Sequence, residues 1–174
     1  MKRNVLVFGL ISGLLISVFL VCSMSWCYRT GSFEGNMIMG FSAMFLAFSF
    51  IFVAVKNYRY KYNGGVITFG KAFTTGLLIT LITSTMYVLS WAIEYHFFMP
   101  DWLEMYNAHQ LSTLKASGAN AAQIAAKTKE IQTMTESYRN PVLFVLFSYM
   151  EILPVGLLVS IVTALILKKK IRKI

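Results

Sequence analysis

Four long apolar runs constrain this chain more than any other feature. They cover about residues 5–27, 37–55, 69–98 and 141–167 and are separated by short polar or basic stretches. A helix needs about 20 consecutive apolar residues to cross a hydrocarbon core ~30 Å thick. Lipid offers the backbone no hydrogen-bond partner, so a single apolar run can cross only as a helix that satisfies itself. The expected fold is therefore all-α: one polytopic membrane domain over residues 1–174 with four transmembrane helices. Composition agrees, with 57% hydrophobic and 13% charged residues against about 25% charged in soluble domains.

A net charge of +9 invites a nucleic-acid reading, but the placement of the charge argues for a different partner. Eleven of the 16 basic residues fall in three places: Lys2 and Arg3; Lys56, Arg59, Lys61 and Lys71; and Lys168, Lys169, Lys170, Arg172 and Lys173. Each group flanks an apolar run, as the positive-inside rule requires of cytoplasmic ends. The expected partner is the lipid bilayer, with both termini cytoplasmic. No aromatic-basic module for nucleic acid lies outside the spans, and none is expected to bind.

In the first run, Lys2 and Arg3 precede the apolar residues and Trp26 and Tyr28 follow them. It exceeds the roughly 7–15 residues of a signal-peptide core, so an uncleaved helix is expected. Small residues recur every three or four positions in all four runs, at Gly9-Gly13-Ser17, Gly40-Ala43-Ala47, Gly76-Thr80-Ser84 and Gly156-Ser160-Ala164. Such stripes let helices approach closely, and Gly9, Gly13, Gly76 and Gly156 are the expected packing positions. Residues 56–68, with three basic residues, three tyrosines and no acid, read as an inner loop turning at Asn63-Gly64-Gly65. Cys22 and Cys27 are five apart. On a helix that separates them by about 140° around the axis, so neither a bridge nor a metal pair is expected.

Between the third and fourth runs, residues 101–138 are polar. Trp102 to about Lys115 reads as one helix, Ser117-Gly118 as a break, and Asn120 with Gln123 as the capping box of a second helix. The pair is expected to form a helical hairpin on the extracytoplasmic side, available to a membrane-protein partner or a second copy of the chain. Asp101 through Arg139 holds four acidic and four basic residues, the balance expected of a translocated segment.

Polar candidates inside the spans are few. Glu151 lies ten residues, or ~15 Å, from the start of the fourth helix, and Glu94 six residues, or ~9 Å, before Pro100. Both fall in the outer half. Glu94, His96 and Glu151 form the expected intramembrane polar cluster, and Pro154 is the expected kink, freeing the carbonyl of Met150. Two readings of the acids stay open. They hold a proton or cation, with His96 as relay, or each fixes packing through a neighbouring Ser, Thr or Tyr or through Arg29 or Arg139. No His-Glu-x-x-His, Gly-x-Ser-x-Gly, Cys-x-x-Cys or P-loop pattern occurs, so neither an enzyme, a metal site nor a cofactor is expected.

Five ordered segments carry a family resemblance: Gly70-Lys71-Ala72-Phe73, Trp91-x-x-Glu94-Tyr95, Met99-Pro100-Asp101, Lys115-Ala116-Ser117-Gly118-Ala119, and Glu151-Ile152-Leu153-Pro154-Val155-Gly156 before a basic tail. Together they resemble the bacterial membrane family called domain of unknown function 4199, over almost the whole chain. The resemblance implies four spans, an outer helical insert and a bacterial inner membrane, without an activity or catalytic residues to carry over. The functional expectation is a non-enzymatic structural or interaction protein that uses the outer hairpin. The alternative is a small oligomeric proton-coupled transporter component using Glu151 and Glu94.

Overall fold

A computed structural model of the protein describes residues 1–33 and 37–169. Residues 34–36 of the first loop and Lys170, Arg172 and Lys173 of the basic tail lie outside them. The described residues form six α-helices: α1 (Lys2–Thr30), α2 (Met37–Tyr62), α3 (Phe69–Ile93), α4 (Trp102–Ala116), α5 (Ala121–Arg139) and α6 (Pro141–Leu167). Four helical segments are long and apolar enough to cross a membrane: α1, α2, α6, and α3 with its extension to Phe98.

Local chemistry sets the helix ends. Gly31 stops α1 in the left-handed conformation at φ 65°, which costs glycine no Cβ clash. Helix α2 runs seven residues past the apolar run, through the Lys56–Tyr62 stretch read as loop. Hydropathy marks where lipid ends, not where the helix does. The first residues that break it are Gly64 and Gly65, at φ 60° and 79°. The backbone N–H of Lys71 donates to Thr68 Oγ1 at the start of α3 (3.4 Å), and that of Gln123 to Asn120 Oδ1 in a reciprocal capping box on α5 (2.9 Å). Asn140 accepts from Val142 N (2.9 Å) at the start of α6, where Pro141 needs no N–H partner. Helix α6 is continuous through Pro154.

Small and polar residues share the helix interfaces with apolar ones. Helix α1 buries Asn4, Gly9, Ser12, Gly13 and Ser17 and turns Leu6, Leu10, Leu14 and Val18 outward. Val5, Ile16 and Leu20 share the buried face with these small and polar residues, and the outward face is large and apolar, the pattern expected where lipid is the solvent. Helices α2 and α3 touch each other, and α1 and α6 each pack against both. Phe48, Ile51, Ile79 and Ile152 fill the centre.

Close approach is built from glycine and hydroxyl residues. Thr83 Oγ1 donates to the carbonyl of Gly9 (3.3 Å), and Ser12 Oγ to that of Ala47 (2.7 Å). A Cβ on Gly9 would meet Ile82 at 3.0 Å, and one on Gly13 would press on Met86 Sδ. Between α3 and α6, Thr80 and Ser160 hydroxyls share a hydrogen bond (3.2 Å), and a Cβ on Gly76 would fall 2.7 Å from Ser160 Oγ. Interhelical hydrogen bonds in lipid average only about 0.6 kcal/mol, because the separated helices find other partners. Ser12→Ala is therefore expected to cost about 0.6 kcal/mol, measured by thermal denaturation in detergent.

One end of the bundle is basic and tied together. Asn4 Nδ2 donates to Ala54 O (2.8 Å), joining α1 to α2. Ile67 and Lys169 exchange backbone hydrogen bonds (3.2 and 2.8 Å), and Arg59 donates to the carbonyls of Gly65 (2.7 Å) and Leu167 (3.3 Å). The guanidinium thus holds the α2–α3 turn against the end of α6. Helices α4 and α5 lie at the opposite end, linked to each other by Asn107 Nδ2 donating to Thr135 Oγ1 (3.1 Å).

Candidate functional site

Glu94 and Glu151 both lie toward the end of the bundle near α4 and α5, but they take different partners. At Glu94 the α3 helix widens into a π-turn over Glu94–Phe98, closed by Met99 N donating to Glu94 O (3.0 Å). Turns of this kind insert one residue and re-aim the side chains around it. Glu94 is 3% exposed and accepts a hydrogen bond from Ser25 Oγ (3.0 Å), while its Oε2 has no partner among the described residues. Nearby, Tyr28 donates to Asp101 (2.5 Å). These two bonds fasten the end of α1 to the α3–α4 junction.

Glu151 occupies a different setting. Its Oε2 accepts a hydrogen bond from Tyr87 on α3 (3.1 Å), and its surface opens on two cavities of about 360 and 670 Å³. The smaller cavity is an aromatic chamber under α4 and α5, walled by Tyr87, Trp91, Trp102, Tyr106 and Tyr138. The larger runs between α1 and α2 along Ile16, Phe19, Leu20 and Met44. Leu20, Met24, Cys27, Tyr87 and Glu151 line both. Glu94 lines neither. Among the described residues lining the two cavities, Glu151 is the sole carboxylate, and no lysine or arginine accompanies it.

The chamber walls are held by ring packing. Trp102 stacks on Tyr106 (5.0 Å between centroids) and meets Trp91 edge-on (5.3 Å). Phe33, from the α1–α2 connection, packs on Trp102 and Tyr106. Phe144 of α6 is 1% exposed and gathers Trp91, Tyr95, His96 and Tyr138 around it. Burial, and next the Glu151 carboxylate, push the Tyr138 phenol above its ordinary pKa. The phenol stays neutral there.

His96 is exposed, and its Nδ1 is 2.9 Å from the carbonyl of Ala92 one turn back. It contacts rings rather than either acid. Among the described residues, no salt bridge joins Glu94 or Glu151 to Arg29 or Arg139, and no group of three His, Cys, Asp or Glu side chains is placed to hold a metal ion. The two acids are visible in the sequence, but the cavities that Glu151 alone of them lines are not. Tyr87, Trp91 and Tyr138 are spread over 51 residues of chain, and only the crossing of α3, α5 and α6 gathers them.

The family model described as a protein of unknown function, DUF4199, matches residues 7–169. The chain belongs to this family. The match takes in most or all of each of the four helices long and apolar enough to cross a membrane, the π-turn, both acids and the α4–α5 pair. No curated protein and no solved structure matches this DUF4199 chain.

Proposed function

We propose that this DUF4199 protein is a non-enzymatic interaction protein of the bacterial inner membrane, with its basic end and both termini in the cytoplasm. Its α4–α5 pair forms an extracytoplasmic helical hairpin that docks a membrane-protein partner or a second copy of the chain. The observation that carries this reading is the burial of the pair. Helix α5 buries none of its 19 residues and α4 buries only Leu103 among 15. Two such helices add little to the core of the bundle, and their outward faces stay free. The basic end supports the orientation, because Lys2, Arg3, Lys56, Lys61, Lys71 and Lys169 lie at the helix ends away from α4 and α5.

Site-specific photo-crosslinking tests the docking. Probes at Ala125 and Gln132, both exposed on α5, are expected to give one adduct of defined mass in native membranes. Glutamate at Ile124 and Ile131, half-buried residues on that helix, is expected to abolish it. Absence of any adduct at both positions, with native mass in gentle detergent equal to a single chain, removes the docking reading.

One observation favours the second reading, a proton-coupled transporter component. Glu151 stands where two cavities meet. That reading rests on Glu151 alone, since Glu94 lines neither cavity.

A further inference from the structure

We propose that the two cavities meeting at Glu151 form a binding site for a hydrophobic organic cation, such as a lipophilic amine or quaternary ammonium compound. The inference does not depend on docking by α4 and α5. It starts from charge. A lone carboxylate faces about 360 and 670 Å³ of cavity, with no basic side chain in the described lining. A carboxylate set among apolar and aromatic walls draws a partner, and Tyr87 supplies one hydrogen bond to one oxygen. The remaining acceptor capacity faces the cavities.

The walls select the kind of cation. Tyr87, Trp91, Trp102, Tyr106 and Tyr138 surround the smaller cavity, and aromatic faces attract cations whose charge is poorly hydrated. A small hydrated metal ion gains little here, because among the described residues no second carboxylate lines either cavity. The larger cavity adds an apolar continuation along Ile16, Phe19, Leu20 and Met44 for the hydrocarbon part of such a molecule. Both volumes lie in the range of about 300–1,000 Å³ common for small-molecule sites.

Tetraphenylphosphonium and tetraphenylborate, of one shape and opposite charge, provide the test. Each is titrated into the full-length protein in nanodiscs of zwitterionic lipid, with empty nanodiscs as blank, and followed by quenching of tryptophan fluorescence, since Trp26, Trp91 and Trp102 all line the cavities. The phosphonium is expected to bind saturably above the blank and the borate is not. Glu151→Gln, which keeps the shape and removes the charge, is expected to weaken phosphonium binding about tenfold or more. Three results overturn the proposal: no saturable phosphonium binding, equal saturable binding of the borate, or unchanged binding in Glu151→Gln. If that variant does not fold, the comparison of the two ions in the unaltered protein decides.

Discussion

Gly156→Leu is expected to stop the bundle from assembling. A Cβ at this position would fall 2.8 Å from both Phe48 Cζ and Thr80 Oγ1 and press on Thr80 Cγ2. Neither neighbour can yield, because Phe48 and Thr80 are both fully buried and Thr80 is bonded to Ser160. Overpacking a close-packed site costs typically about 1–3 kcal/mol, and leucine adds a whole side chain rather than one methylene. In lipid the loss is not offset by hydrophobic burial, since the tails are as apolar as the interior and close packing supplies much of the association. A loss of about 3 kcal/mol or more is expected, seen as a lowered melting temperature or loss of monodisperse protein in detergent. Gly40→Leu is the matched control, because a Cβ at Gly40 meets nothing within 4 Å. Equal behaviour of the two variants would show that the α3–α6 approach does not hold the fold.

Phe144→Ala has the second large effect, near the start of α6. The ring is nearly inaccessible and lies 5.2 Å from the ring of Tyr95 and 5.5 Å from that of Tyr138. Removing a buried phenylalanine costs about 3–5 kcal/mol through lost contacts and the void left behind. Tyr138 belongs to the last turn of α5, whose other residues are exposed or half-buried. The variant is therefore expected both to melt earlier and to admit trypsin faster at Lys127 and Lys129. A lowered melting temperature with cleavage at the unaltered rate would show that Phe144 supports the bundle without anchoring α5.

Much of the helical architecture was legible in the sequence because the bilayer imposes a coarse rule. Apolar length marked the spans, and Asn120 with Gln123 marked the start of α5 through capping chemistry that acts within four residues. The end of α2 was not legible, because Lys56–Tyr62 carries no helix breaker and leaves the apolar run without leaving the helix. The π-turn at Glu94 was hidden too, since it depends on which carbonyl Met99 N reaches and not on a residue pattern. The candidate site was half legible. An acid among apolar residues is conspicuous at Glu94 and at Glu151, but its partner is set by helix crossings. Ser25 and Tyr87 are separated from their acids by 69 and 64 residues.

The orientation of the bundle is the claim on which the functional reading depends. With Cys22 and Cys27 replaced by serine, single cysteines at Tyr62 and Ser117, both exposed, are to be treated with a membrane-impermeant maleimide in intact spheroplasts and again after permeabilisation. The account predicts that Ser117→Cys is labelled from outside and Tyr62→Cys only once the membrane is opened. Labelling of Tyr62→Cys in intact spheroplasts, with Ser117→Cys protected, would contradict it.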